Sequence, residues 1–324
     1  MADDFKPEKL RHFIYVDEPN DGEQAFFGVM TIYWETDALN AKGQVWRFHV
    51  EADGSVEPEC SLNTNDNLNT LWCSPEKNLW VGSELGRVWT TANTQWDPSK
   101  IQGLDWEGMD PNRTWVAGEL PRRANGGSYA VTAIWGSSNR DVYVGTFTGL
   151  IFHWDGAQWN ISHGENKKPI SRMHGTGPTD IWVVGREGLV LHFDGRQWHP
   201  VSLPEDASAR VTLTGVWVSP EEVYMCSTGG AIFHGSRHGL ERVGDYDHSF
   251  YGIVEFKGQM FLAAGDSGVA ALKGNRLKIV RDTFASTGVY RLTTRLAFVK
   301  PIQDEPTIVI HDPGNTSPWM GYSC

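Results

Sequence analysis

A block of about 40 residues recurs along this chain, and each copy reads as four short strands. The clearest copy runs Ala133-Ile134-Trp135-Gly136, then Asp141-Val142-Tyr143-Val144-Gly145, then Gly149-Leu150-Ile151-Phe152-His153-Trp154-Asp155-Gly156-Ala157-Gln158-Trp159. The next nearly repeats it: Arg172-Met173-His174-Gly175, Asp180-Ile181-Trp182-Val183-Val184-Gly185, then Gly188-Leu189-Val190-Leu191-His192-Phe193-Asp194-Gly195-Arg196-Gln197-Trp198. One such unit cannot bury its apolar faces alone, so the copies must stack, and four-stranded copies of this length stack as blades around an axis. The expected fold is all-β: a single β-propeller domain spanning 1–324, with 1–9 as a flexible N-terminal tail.

Taking Trp135 as the anchor, equivalent residues are Trp72, Trp106, His174, Trp217, Val254 and a copy near Leu292. Counting the two terminal segments as one shared blade gives seven four-stranded blades, with the ring closed by pairing N- and C-terminal strands. Six follows if the Trp106 segment is an insertion, and eight if each end builds its own blade. Closure removes the exposed sheet edges. Runs such as Val142-Tyr143-Val144 and Ile181-Trp182-Val183-Val184 are apolar on both faces, as strands sandwiched between neighbouring sheets must be. Trp80, Trp115 and Trp182 read as a second repeated position, and glycines 82, 118, 145, 185 and 265 as the ends of second strands.

The formal net charge of -12 argues against nucleic acid, because phosphate neutralisation needs clustered Lys and Arg. It favours a basic or mixed-charge protein partner. Cys60, Cys73, Cys226 and Cys324 show no metal-ligand spacing. No signal-like start and no apolar run of membrane-spanning length is present. A soluble, cytoplasmic protein with reduced thiols is expected.

The run Trp135-Gly136-Ser137-Ser138, Asp141 to Gly145 and Gly149 to Trp159 resembles the repeat of bacterial propellers related to the Asp-box, or BNR-like, proteins. That superfamily includes sialidases, xyloglucan-cleaving glycosidases and photosystem II assembly factors. The likeness covers about 70–280 and implies the fold rather than an activity. The sialidase Asp box is similar to Ser-x-Asp-x-Gly-x-x-Trp, whereas Trp154-Asp155-Gly156-Ala157-Gln158-Trp159 places Asp and Gly side by side. A sialidase-like site implies an arginine triad beside a Tyr–Glu pair, and only Arg186 stands at a suitable loop.

His153, His192 and His234 share one repeat position, but equivalent positions on successive blades point in rotated directions and cannot meet at one ion. They read as packing or hydrogen-bonding groups, and no metal or cofactor is expected. The loops between second and third strands fall on the same face as the blade-to-blade connections, so Glu84, Glu187 and Asp266 ring a common funnel with Arg186. Together with Phe147 and the acidic-aromatic string Asp245-Tyr246-Asp247, these are the candidate partner-binding residues. The leading expectation is a non-enzymatic propeller binding a protein partner through that face; one form is an inhibitor or immunity-type protein neutralising a basic toxin or enzyme. Two alternatives are a glycan-binding lectin using Trp159 and Trp198, and a glycoside hydrolase using Glu187 and Asp266 as its carboxylate pair.

Overall fold

In the computed structural model, residues 9–19, 25–34, 37–50, 55–101, 104, 114–164, 166–205, 207, 211–301 and 306–324 are described. They form seven four-stranded antiparallel sheets, at 9–64, 68–119, 131–163, 170–200, 213–245, 252–281 and 288–323, here blades 1 to 7. Strands follow in chain order across each blade. The inner ones are Lys9–Asp17, Leu68–Cys73, Val131–Ser138, Ile170–Gly177, Leu213–Val218, Gly252–Phe256 and Gly288–Arg291. Each inner strand packs against that of the next blade, and Lys9–Asp17 packs against Gly288–Arg291, so the ring is complete. There is no α-helix among the described residues, and no helix is long and apolar enough to cross a membrane. All four cysteines are free thiols.

Seven blades are present, but the terminal segments do not share one. Blade 1 is built wholly from the N-terminal segment and blade 7 wholly from the C-terminal one. The count still holds because the Trp106 segment supplies no separate blade. Trp106 itself lies outside the described residues, and Val116–Glu119 forms the outer strand of blade 2. Trp115 and Gly118 therefore belong at that outer strand rather than at a second strand. The tail expected at 1–9 lies outside the described residues except for Lys9, where the first strand begins.

The repeated aromatics form rows across the sheets. Trp135 pairs with Tyr143 and then His153 in blade 3; His174, Trp182 and His192 do the same in blade 4, and Trp217, Tyr224 and His234 in blade 5. Sheets that diverge from an axis leave a wedge between them, and wide rings fill it at about 150–250 Å² of buried surface each. A buried indole N–H needs an acceptor, and several find one across the blade seams. Trp80 donates to Asn139 Oδ1 at 2.9 Å, Trp115 to Ser61 Oγ at 3.1 Å and Trp198 to Ser162 Oγ at 2.9 Å. The tryptophans thus stitch neighbouring blades as well as filling space.

The three histidines have the structural role their spacing suggests. Each is served by an acid near the start of the second strand: Asp141 to His153 at 2.7 Å, Asp180 to His192 at 2.9 Å and Glu222 to His234 at 3.5 Å. Ser137 and Thr176 donate to the other oxygen of Asp141 and Asp180 at 2.5 and 2.6 Å. These contacts lie within single blades, where they tie three strands together. Among the described residues no cluster of His, Cys, Asp and Glu could hold a metal ion.

Candidate functional site

The up-and-down strand order places the turns between second and third strands beside the connections that enter each blade. Backbone bonds join the two sets: Phe147 N to Ala130 O at 3.0 Å, Arg186 N to Pro169 O at 2.9 Å, Thr228 N to Thr212 O at 3.2 Å and Tyr246 N to Gly230 O at 3.0 Å. Glu84, Phe147, Arg186, Glu187 and Asp266 occupy such turns in blades 2, 3, 4 and 6. Asp245, Tyr246 and Asp247 lie where blade 5 hands over to blade 6. All eight therefore share one face of the ring.

Their environments differ. Phe147 is 50% exposed, with the Arg186 guanidinium 5.4 Å from its ring centroid. In the equivalent turn of blade 2, Leu85 is 48% exposed beside Glu84, whose carboxylate accepts from Asn67 Nδ2 at 2.9 Å. Glu187 holds a left-handed φ of 54°, uncommon for a residue with a side chain. Its carbonyl accepts from Lys168 Nζ at 3.0 Å while its side chain stays exposed. Asp247 and Asp266 are exposed. Asp245 is paired with Arg242, and Tyr246 donates its hydroxyl to Asn275 O at 2.8 Å, so these two brace the connection. Glu84, Glu187 and Asp266 sit on alternate blades, with the Phe147–Arg186 pair between the first two. Trp198 is buried against Phe193 and Tyr143, and Trp159 packs on Trp154 and Trp96, so both pack in the outer part of the sheets.

Reading the repeats missed a second concave feature, the central channel. A cavity of about 370 Å³ lies between the inner strands from their middle to their C-terminal ends. It faces the turns between first and second strands, opposite the face just described. Midway down, the Arg172 guanidinium stands 4.7 Å from the ring centroid of Tyr15 and donates to Tyr290 Oη at 3.2 Å. Tyr290 in turn donates to Ile14 O at 2.7 Å. Nearer the mouth, His174 lies 4.4 Å from Trp217 between ring centroids, and its Nδ1 accepts from Val218 N at 3.0 Å. That bond leaves the ring proton on Nε2. Burial, reinforced by nearby Arg291, lowers the pKa of His174 to about 4. Asp17 accepts from Cys73 N and Glu18 N, each at 2.8 Å, yet burial pushes its carboxyl up to about 7.

The signal for the channel was in the alignment. Two residues before the anchors of blades 2 to 6 stand Thr70, Ala133, Arg172, Gly215 and Gly252, so Arg172 is the one long cation among small residues there.

Fold and channel together define a seven-bladed β-propeller. No family model matches the chain, and no curated protein does. Solved structures with the same architecture span nearly its whole length. A catalytically inactive virginiamycin B lyase from Staphylococcus aureus with quinupristin has a TM-score of 0.65 at 11% identity, covering 92% of this chain and 96% of that one. YCF48 from Cyanidioschyzon merolae has a TM-score of 0.62 at 10% identity, covering 96% and 97%. The WD40 propeller domain of Doa1 has a TM-score of 0.65 at 12% identity, covering 97% and 98%. At such identities the likeness establishes the fold alone.

Proposed function

We propose that this chain is a non-enzymatic recognition propeller that binds a protein partner through the face carrying Phe147, Arg186 and Leu85. The observation that carries the reading is the pair of large apolar side chains held in solvent at equivalent turns of adjacent blades. Nothing in blade packing requires them there, since the same turn in blade 6 carries Asp266. Exposed apolar groups ringed by polar ones are the usual composition of a recognition surface. Glu84 and Glu187 flank them with negative charge, and Asp247 and Asp266 continue it round the same face, which suits a partner presenting an apolar socket edged by Lys or Arg. Within that class, an inhibitor or immunity-type protein masking a basic toxin or enzyme fits the charge of -12. The Asp-Gly turns at Asp155 and Asp194 keep the likeness to Asp-box repeats, and YCF48 bound to D1 peptide is a case of a similarly folded protein with a peptide ligand.

The test is capture from native lysate by the full chain and by two variants, Leu85→Ser/Phe147→Ser and Glu187→Lys/Asp266→Lys. The expected result is a protein retained by the wild type and lost by both variants, with melting temperatures unchanged. Retention by both would refute the assignment of this face.

A further inference from the structure

We propose that the central channel binds a small monocarboxylate borne on a flat, apolar body, with Arg172 receiving the carboxylate. The site lies on the opposite side of the ring from the partner face and is independent of it.

The charge pattern around the channel carries the inference. Arg291 at the mouth is paired with Glu255 at 2.6 Å, and Arg295 with Glu18 at 3.4 Å. Asp17 is satisfied by two backbone N–H groups. Arg172 differs: among the described residues no carboxylate lies within ion-pair distance of it, and its hydrogen-bonding partner is the neutral phenol of Tyr290. A half-buried guanidinium held against two aromatic rings stays poorly compensated until a charge of opposite sign meets it. Its planar fork is shaped to grip a carboxylate through two parallel N–H bonds, and the Tyr15 ring beneath holds it in place.

The walls decide the rest of the ligand. Between Arg172 and the mouth lie Trp72, Trp135, His174 and Trp217, a lining suited to a flat apolar body. The volume, about 370 Å³, falls at the small end of ligand pockets. One cation without a carboxylate partner matches one negative charge, since Arg291 and Arg295 nearby are already committed to Glu255 and Glu18.

The experiment titrates phenylacetate and its neutral amide into the full chain, followed by tryptophan fluorescence and calorimetry. Phenylacetate is expected to bind about tenfold or more tighter than the amide. Arg172→Met should bring the acid down to the amide's level, while Arg172→Lys, which keeps the charge but not the fork, should lose several-fold and stay folded. Repeating the comparison with a tripeptide ending in phenylalanine, free or amidated, tells whether the carboxylate arrives on a small molecule or on a chain end. Equal binding of acid and amide, no binding by either acid, or wild-type affinity in Arg172→Lys would overturn the proposal.

Discussion

Glu18, just after the first strand, accepts from Arg295 of blade 7 at 3.4 Å, and each side chain is only 9% exposed. The same carboxylate accepts the backbone N–H of Thr293. With the Tyr290 to Ile14 bond, these contacts close the ring without a shared blade. Replacing Glu18 by Ala would leave a nearly buried guanidinium with no opposite charge, at a cost of about 3–5 kcal/mol. Adding Arg295→Met removes the stranded charge. The double variant should therefore recover part of the loss in urea denaturation; losses that simply add would show that this pair does not hold the seam.

The repeated acid–histidine pairs grade by burial. His192 is almost fully buried, and Asp180 also accepts from Trp182 Nε1 at 3.0 Å and from Thr176. The Glu222–His234 pair is open, with side chains 53% and 34% exposed. Asp180→Ala should cost about 2–3 kcal/mol because it leaves His192 and the Trp182 indole N–H, both buried, without an acceptor. Glu222→Ala should cost less than about 1 kcal/mol, as exposed pairs do. Chemical denaturation of the two variants gives the comparison, and a reversed order would rule out a shared structural role.

Blades 3 and 4 could be read from sequence because every strand there carries its own marker: an anchor ring, an apolar second strand, a His in the third and an Asp-Gly turn. In the described hairpins those turns have Gly156 and Gly195 at φ of 91° and 92°, a conformation glycine adopts at little cost. Blade 1 keeps the apolar second strand, Ala25–Trp34, and an Asp-Gly pair, Asp53-Gly54, but at a different spacing. Its strands run to 14 residues at Asp37–Val50, and its inner strand presents Tyr15 where a Trp anchor would be sought. Side-chain packing closes the ring there, and packing leaves no periodic trace. The candidate face was legible because turn positions follow from strand order. The channel is not legible locally, because Tyr15, Arg172 and Tyr290 come from three blades far apart in sequence; only setting the inner strands side by side makes Arg172 stand out.

Close packing between blades limits the second strands. A Cβ added at Gly82 would sit 2.2 Å from Val131 Cγ1, a β-branched side chain in the next blade's inner strand that has little freedom to yield. Gly82→Ala should destabilise by about 1–3 kcal/mol through overpacking. Gly164 has nothing within 4 Å of the same position, so Gly164→Ala should be neutral or slightly stabilising. Thermal melts of the pair test this, and equal melting temperatures would show that the seam has slack.

Asp17 and His174, both lining the channel, have opposite linkage to pH over an overlapping range. The carboxyl of Asp17 is raised from its ordinary 3.8 to about 7, so the folded chain holds that proton more tightly than the unfolded chain. Its contribution is complete below about pH 4 and is lost as pH rises toward 7. His174 is lowered from 6.5 to about 4, so the folded chain resists protonation. Its contribution is complete above about pH 6.5 and is lost as pH falls toward 4. In the wild type the two slopes oppose each other. Asp17→Asn should gain stability relative to wild type as pH rises from 4 to 7. His174→Asn, whose amide oxygen can still accept from Val218 N, should gain relative to wild type as pH falls across the same interval. Each change should be about 2–3 kcal/mol, since each group moves by roughly two and a half to three pKa units at about 1.4 kcal/mol per unit and part of that falls outside the interval. Urea midpoints at pH 4.5 and 7 for the three proteins measure both trends. Two variants moving in the same direction would mean that the channel does not burden these groups as their burial implies.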